Sequence, residues 1–572
     1  MQPNGRDKSS KDKQPLRTNA KLSSATHPLP LAAILLVKRC KTLSLLALLA
    51  AISSGALLTL AFAPTSIWPL AIICPAVLLF ICQRATTGRH AFFYGELFGF
   101  GFFGSGLSWI YVSLHTYGQA NVALASFMTL LMVLVLAIYI ACACYLLKRF
   151  FPRSSISQAI LAFPCLWVLA EWLRGWLFTG FPWLFLGYSQ IHTPLRGLAP
   201  IMSVYGLSWI VAASSGLLVV LAHTISTWFN QFRQNSHAEK ITSSTENNLN
   251  VPRPQRSGIF AHCNFPLFTA TVALILIWLI AASLANKPWT QSTGKTLRVS
   301  LVQGDIPIML KWRTDQAERS LQKYTQLSAT QWRSDLVIWP EAAVTFPQTD
   351  AQPYLLQLAA QAKKYHSTLL AGIPIQQEDH YYNGMLAIGQ NTGVYLKRHL
   401  VPFGEFIPFR NLIAWLSDYL QIPMSDFSAG DRYQTLIRIN TTTLATFICY
   451  EIAYPTEVLD SLPAGQVIVV ISDDSWFGKS LAARQHLQIA QMRALETGRP
   501  LVMATNDGLT AVVDAFGTIQ TLAPPYQTAV LSASIIPRQG STPWVRSGIY
   551  PWTVVLFSLL LIAYLWQRRR LL

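Results

Sequence analysis

The chain has 572 residues, of which 52% are hydrophobic and only 12% charged, with a mean hydropathy of +0.34. That balance excludes an ordinary soluble protein and describes an integral membrane protein with room for several domains. The net charge of +18 would point to nucleic acid in a soluble protein, but here the basic residues cluster at the ends of apolar runs, so the partner they imply is the lipid bilayer and no nucleic acid.

Residues 1–41 carry nine Lys and Arg against two Asp and read as a basic, disordered cytoplasmic tail. The first apolar run, Leu43 to Ala63, is about 20 residues long, enough at about 1.5 Å per residue to cross a hydrocarbon core of roughly 30 Å. A turn containing Pro64 follows it in place of a small-residue cleavage site, so it reads as an uncleaved anchor. Further candidate spans cover about 66–83, 91–112, 121–147, 156–176, 197–225, 264–285 and 549–567, which makes eight. The segment 66–83 is short and holds Pro69 and Pro75, whereas 121–147 has no charged residue. Glu96 lies within 91–112, where a carboxylate at membrane depth is either functional or a neutral or paired structural group near the surface.

Cytoplasmic loops are enriched in Lys and Arg, which tests this count independently. With the N-terminus inside, the internal segments hold the basic tail, Arg84 and Arg89, Lys148, Arg149 and Arg153, the loop around Arg233 to Arg256, and Arg568-Arg569-Arg570. The external turns 64–66 and 113–120 hold neither Lys nor Arg. Both termini are therefore expected in the cytoplasm, with seven helices in 42–285, a domain outside it over 286–548, and an eighth helix with a basic end in 549–572. The loop 228–258 reads as a flexible cytoplasmic insertion.

Beyond Lys295 the texture changes. Thr296–Val302, Asp335–Trp339, Ser367–Gly372, Thr443–Ile448, Gln466–Ile471 and Leu501–Ala504 are short strand-like runs, with helical patterns such as 353–364 and 481–497 between several of them. That alternation predicts a layered α/β domain. No phosphate-binding glycine loop or metal-ligand cluster accompanies it.

Three places in this domain put a reactive side chain just after a strand: Glu341 in Trp339-Pro340-Glu341, Lys397 ahead of His399-Leu-Val-Pro-Phe-Gly-Glu405, and Cys449 in Phe447-Ile-Cys-Tyr-Glu451. Of the eight cysteines, at 40, 74, 82, 142, 144, 165, 263 and 449, only Cys449 lies outside the membrane-associated portion, so it has no disulfide partner in its own domain. Taken singly, a lone Glu or Lys is most often a solvated surface group and a free Cys a buried small hydrophobe. Together, in this order, the three motifs resemble the Glu-Lys-Cys triad of the nitrilase, or carbon-nitrogen hydrolase, superfamily. More narrowly, the chain resembles the apolipoprotein N-acyltransferase family over about 43–567. That resemblance includes Val302-Gln-Gly-Asp-Ile-Pro307, Lys311-Trp312, Ser472-Asp-Asp-Ser-Trp-Phe-Gly478, Ala494-Leu-Glu496 and Thr505-Asn506, and in the membrane part Gly106-Leu-Ser-Trp109 and Gly180-Phe-Pro-Trp-Leu184. The basic tail, the 228–258 insertion and Asp473, where Asn is expected, depart from it.

The resemblance implies a multi-pass α-helical membrane protein with an inserted nitrilase-like αββα sandwich, in a bacterial inner membrane with the sandwich facing the periplasm. It implies Cys449 as nucleophile, Glu341 as general base and Lys397 as stabiliser of the tetrahedral intermediate, with Trp312, Glu405, Tyr450 and Glu451 at supporting or substrate-binding positions. The implied reaction moves an acyl chain from a phospholipid, expected to be phosphatidylethanolamine, through a Cys449 thioester to the N-terminal amine of a diacylated apolipoprotein, with no cofactor and no metal. Apolar residues Phe406, Ile407, Phe409, Trp415 and Leu416 are either a lid dipping toward lipid or ordinary packing. A membrane-tethered amidase using the same triad, and a non-catalytic lipoprotein-binding scaffold, are the alternatives.

Overall fold

The computed structural model describes residues 31–245, 265–406 and 426–569, with side chains described from Leu45 to Arg233 in the first of these stretches. The described residues fall into two units divided between Ala47 and Leu48, and the second contains both the remaining apolar helices and the α/β domain.

Each expected apolar run is helical, but not each is a full-length span. Val122–Phe150, Pro194–Arg233, Pro266–Leu284 and Tyr550–Arg569 are long and apolar enough to cross a membrane. Gly88–Gly106 and Trp109–Tyr117 together make a fifth, bent by 52° at the break. Leu45–Ala61 and Leu70–Arg84 are shorter apolar helices. The run expected over 156–176 becomes a π turn, Gln158–Ala162, leading into the helix Phe163–Arg174, and it carries buried Glu171 and Arg174. Lipid-facing and packed sides separate by period: in Val122–Phe150, Phe127, Leu130, Leu131, Leu134 and Ile138 are exposed while Val133, Ala137, Ile140, Ala141 and Cys144 are buried. Glycine makes the packed side possible, since a Cβ at Gly95 or Gly99 would lie 2.7 Å from the Cα of Ala141 or Ala137.

Two expected boundaries move. The helix expected from Leu43 starts at Leu31, because Leu31-Ala-Ala-Ile-Leu-Leu-Val37 is itself apolar; residues 1–30 of the expected tail lie outside the described residues. The loop expected from 228 begins no earlier than 246, because Ala199–Thr245 continues through this stretch, which has no glycine or proline to stop it. The rest of that loop, 246–258, lies outside the described residues, as do Ile407, Phe409, Trp415 and Leu416 of the expected lid.

The α/β domain has two six-stranded sheets. In the first, Ala529–Ile535, Leu297–Gln303, Leu336–Ile338, Thr368–Gln377, His380–Gly389 and Gly393–Leu396 lie side by side. In the second the order is Ile519–Leu522, Ala511–Val513, Leu501–Thr505, Val467–Ser472, Thr442–Ile448 and Arg438–Ile439. The two-residue period of each strand sorts its side chains between layers. Val299, Leu301, Ile338, Leu370 and Met385 share a core with Leu444, Ile448, Val469, Ile471 and Val502, so this is the space between the sheets. Alternate residues Val302, Val337 and Leu369 pack with Leu321, Tyr324, Leu355 and Leu358 of the helices Thr314–Ser328 and Gln348–Lys364. On the other side Phe447, Ile468, Val470 and Met503 pack with Ala483, Leu487 and Ala490 of the helix Ala482–Thr497. The result is the expected αββα order.

Candidate active site

Three strand ends converge on one buried cluster of charge. The strand Leu336–Ile338 leads through Trp339 and Pro340 to Glu341, and Gly393–Leu396 delivers Lys397. Thr442–Ile448 ends at Cys449, which turns into a short 3-10 segment with φ 53°. A left-handed non-glycine residue is strained, and such strain persists only where surroundings over-determine it. Here Glu451 supplies that restraint. Its Oε2 accepts the Ile448 N–H at 2.6 Å, while Oε1 accepts the Arg398 and His399 N–H groups at 2.8 and 3.2 Å and both oxygens lie 3.0 Å from the Tyr395 hydroxyl. One fully buried carboxylate thus ties the cysteine turn to the backbone just past Lys397. Burial raises the Glu451 pKa, opposed by those backbone donors and by Lys397 and Arg398.

Lys397 Nζ lies 3.1 Å from Glu341 Oε1 and 2.8 Å from Glu405 Oε1, and its side chain is 1% exposed. Asn383 Nδ2 donates to the same two carboxylates at 2.7 and 2.8 Å, and Asp473 N–H donates to Glu341 Oε2 at 3.0 Å. Burial works against the Lys397 ammonium, but Glu341, Glu405 and Cys449 outweigh it and hold its pKa well above the ordinary lysine value. The Cys449 thiol is pushed well up, first by burial and then by Glu341, with Lys397 opposing. The resting arrangement is therefore a protonated thiol beside a carboxylate that receives three donors, with an ammonium shared between two carboxylates. Such a site can remove a thiol proton and hold an oxyanion.

The supporting residues divide. Glu405 belongs to the charge cluster, its Oε2 also accepting the Val401 N–H at 2.9 Å. Trp312 follows Lys311 at the end of the helix Ile308–Lys311, half-buried, its indole N–H without a partner among the described residues. Tyr450 and Tyr454 turn toward the membrane part, donating to the Gly180 carbonyl at 3.2 and 3.0 Å. The loop that receives them is strained at Phe178, Thr179 and Leu184, all at positive φ. Arg174 donates to the Phe181 and Trp183 carbonyls at 2.9 and 2.6 Å, and Glu171 accepts the Leu186 N–H at 2.7 Å, so the buried charges of the preceding helix fix this loop. Phe178, 76% exposed, and Trp176, 51% exposed, extend apolar surface away from it. Glu96 is half-buried, with one oxygen lacking a partner among the described residues. Phe406, the described residue of the expected lid, pairs with Asp426 in an isolated bridge.

Sequence reasoning missed four groups. Asn383 lies on the strand His380–Gly389, which has no strong apolar signal of its own. Lys311 and Asp473 lay within quoted motifs but had no role; they form a buried ion pair, and Lys311 Nζ also donates to the Glu341 carbonyl at 2.8 Å. His486 contacts the Cys449 carbonyl at 3.1 Å from inside a helix that reads as ordinary. Among the described residues no group of His, Cys, Asp and Glu is arranged to hold a metal ion.

Comparison with known proteins covers both parts of the chain. Residues 54–217 match the apolipoprotein N-acyltransferase N-terminal domain, and 298–542 match carbon-nitrogen hydrolase. An apolipoprotein N-acyltransferase of Coxiella burnetii is 41% identical over 518 residues, covering 90% of this chain and 99% of that protein. One from Pseudomonas aeruginosa is 38% identical over 528 residues, covering 91% and 96%. A solved carbon-nitrogen hydrolase from Helicobacter pylori aligns with 46% of this chain and 94% of its own, at 16% identity and a TM-score of 0.32.

Proposed function

The chain belongs to the apolipoprotein N-acyltransferase family, within the carbon-nitrogen hydrolase superfamily, and from that premise we propose that it carries an acyl group from a phospholipid to an apolipoprotein through a thioester on Cys449. The observation that carries this reading is the 3.1 Å pair of Glu341 and Lys397, both acting electrostatically on a cysteine held in a left-handed turn.

In the first half-reaction Glu341 takes the thiol proton as Cys449 Sγ attacks the phospholipid ester carbonyl. The oxyanion that forms is stabilised by the Lys397 ammonium, a contribution of a few kcal/mol for a well-aimed donor in a dry site. Glu405 matters at this moment. When Glu341 becomes neutral, the second carboxylate, 2.8 Å from Nζ, still balances the lysine charge. Collapse breaks the ester C–O bond, and the leaving alkoxide takes the proton from Glu341 to depart as lysophospholipid.

In the second half the α-amine of the lipidated cysteine attacks the thioester. An α-amino group with a pKa near 8 is partly neutral at pH 7, so it attacks without further activation. Glu341 accepts its proton, the C–S bond breaks, and Cys449 is reprotonated as the amide leaves. Phosphatidylethanolamine is the proposed donor and a diacylated apolipoprotein the acceptor. The exposed Phe178 and Trp176, on the loop bonded to Tyr450, support an apolar chain approaching along that side.

The proposed orientation has both termini in the cytoplasm and residues 286–548 in the periplasm. The basic residues Arg84, Arg89, Lys148, Arg149, Arg568 and Arg569 at one set of helix ends support it. A reporter fused at residue 290 should behave as periplasmic, and a cytoplasmic signal would reverse the assignment. The chemistry is tested by incubating purified protein with phosphatidylethanolamine and a diacylated lipopeptide. N-acylated lipopeptide is expected; free fatty acid or ammonia alone would favour the amidase alternative. Glu341→Gln and Cys449→Ala should each reduce product at least about a thousandfold.

A further inference from the structure

His486 sits behind the nucleophile with both ring nitrogens against oxygen. Nε2 is 3.1 Å from the Cys449 carbonyl and Nδ1 is 3.2 Å from Asp474 Oδ1, and the side chain is 1% exposed. A carbonyl oxygen only accepts, so Nε2 carries a hydrogen. In a neutral imidazole that leaves Nδ1 as a bare lone pair facing carboxylate lone pairs, a repulsive contact in a dry place. The geometry is satisfied when one further proton lies between the two groups. Asp474 points the same way. Its side chain is 1% exposed and Oδ2 has no partner among the described residues, while Oδ1 accepts the Ser472 hydroxyl at 2.8 Å. An ionised carboxylate with one bare oxygen in that setting is costly unless its charge is cancelled.

We propose that Asp474 and His486 hold one proton between them as an electrically neutral pair, and that His486 is a positioning residue that fixes the Cys449 turn while shielding its thiol from the Asp474 charge. The pair is close enough to matter: after burial and Glu341, with Lys397 opposing, Asp474 is among the groups that push the Cys449 thiol up. The groups around the pair are consistent with this role. From the cysteine turn it faces the Cys449 carbonyl, and from the membrane part the Trp183 ring at 5.8 Å. Asp473 precedes Asp474 but is neutralised by buried Lys311, and Asp507 lies beyond it. Across the site Lys397 is shared by Glu341 and Glu405. Arg484, on the same helix, is exposed and no hydrogen bond joins it to the pair. Without the shared proton, Asp474 would be the charge near Cys449 with no counter-ion.

The inference rests on Cys449 being the reacting thiol, but its test is independent of acyl transfer. The rate of Cys449 alkylation by iodoacetamide is followed against pH in the intact detergent-solubilised protein, read as the mass of the Cys449 peptide. In Asp474→Asn the pH midpoint should stay within about 0.3 unit of the wild type, because the amide beside a neutral imidazole has the same zero net charge as the pair. In His486→Gln the carboxylate is left uncancelled, so the midpoint should rise by about one unit and alkylation below it should slow about tenfold. Asp474→Asn combined with His486→Gln should return the midpoint to the wild-type value. A fall of about one unit in Asp474→Asn would show an already naked carboxylate and overturn the proposal, and that single variant decides the matter even where His486→Gln does not fold. An unchanged midpoint in folded His486→Gln would overturn it too. Normal alkylation without any acyl-enzyme in the wild type would instead sink the proposed function and leave this test standing.

Discussion

Two helices in the outer layers of the sandwich present the same sheet-facing pattern to opposite surroundings. In Gln348–Lys364 the buried positions are Ala351, Leu355, Leu358 and Ala362; in Ala482–Thr497 the positions packed on the sheet are Ala483, Leu487, Ala490 and Ala494, with identical spacing. The far side of the first helix meets water. The far side of the second is buried as well, so that within it only Arg484 escapes burial. There Gln485 Oε1 accepts the Trp183 indole N–H at 2.7 Å and Gln488 Oε1 accepts the Ala63 N–H at 3.2 Å. Glu496 Oε1 accepts the Ser203 hydroxyl at 2.6 Å and the Val204 N–H at 2.7 Å, where the membrane helix breaks at Ser203 with φ 57°. Polar composition thus means solvent in one helix and a docking surface in the other. What differs is whether the membrane part supplies the complementary atoms.

Glu496→Ala should break the docking side most severely. It leaves Ser203 and the Val204 N–H without their buried acceptor and the Arg493 guanidinium, 2.9 Å from Glu496 Oε2, without its counter-charge, at a cost of about 3–5 kcal/mol read by thermal unfolding. Next, Gln485→Ala should cost about 1–3 kcal/mol, since the Trp183 N–H loses its partner. A smaller effect concerns Asp507, whose carboxyl burial lifts to about 7. Because the folded pKa is raised, the stability this group contributes is fully present below about pH 4 and is lost as pH rises through about 7. Asp507→Asn should therefore gain on the wild type in thermal unfolding by about 1–2 kcal/mol at pH 8 and by less at pH 5, after allowance for partial solvent screening. A difference independent of pH would contradict that sign. At the bottom of the scale, Gln357→Ala on the solvent side of the first helix should stay within about 0.5 kcal/mol. Equal costs for Glu496→Ala and Gln357→Ala would erase the distinction between the two faces.

The same contrast explains what was legible in the sequence. Strands such as Thr442–Ile448 and Val467–Ser472 are buried on both faces and read as continuous apolar runs, so they fall within a residue or two of expectation. Ala511–Val513, Ile519–Leu522 and Ala529–Ile535 were not foreseen, being short or exposed at sheet margins. Glu341, Lys397 and Cys449 stood out because motifs framed each at a strand end. Glu405 could be carried over with them. The roles of Asn383, Asp473 and His486 depend on partners 42, 132 and 37 residues away, which local pattern does not encode. Tyr450 was expected at the site, but its hydroxyl goes to Gly180, 270 residues earlier, and no spacing rule pairs them. Likewise Glu171 and Arg174 sit in an apolar run that reads simply as a span, while their donors and acceptors lie in the following loop.

Glu341 and Lys397 both act on one sulfur atom, that of Cys449, and its covalent state is the most direct test. Purified protein is incubated with phosphatidylethanolamine and no acceptor, then analysed by intact and peptide mass spectrometry. An acyl mass on Cys449, released by hydroxylamine and absent from Cys449→Ala, is the expected result. A protein that turns over lipopeptide yet never carries an acyl group on Cys449 would contradict the thioester route.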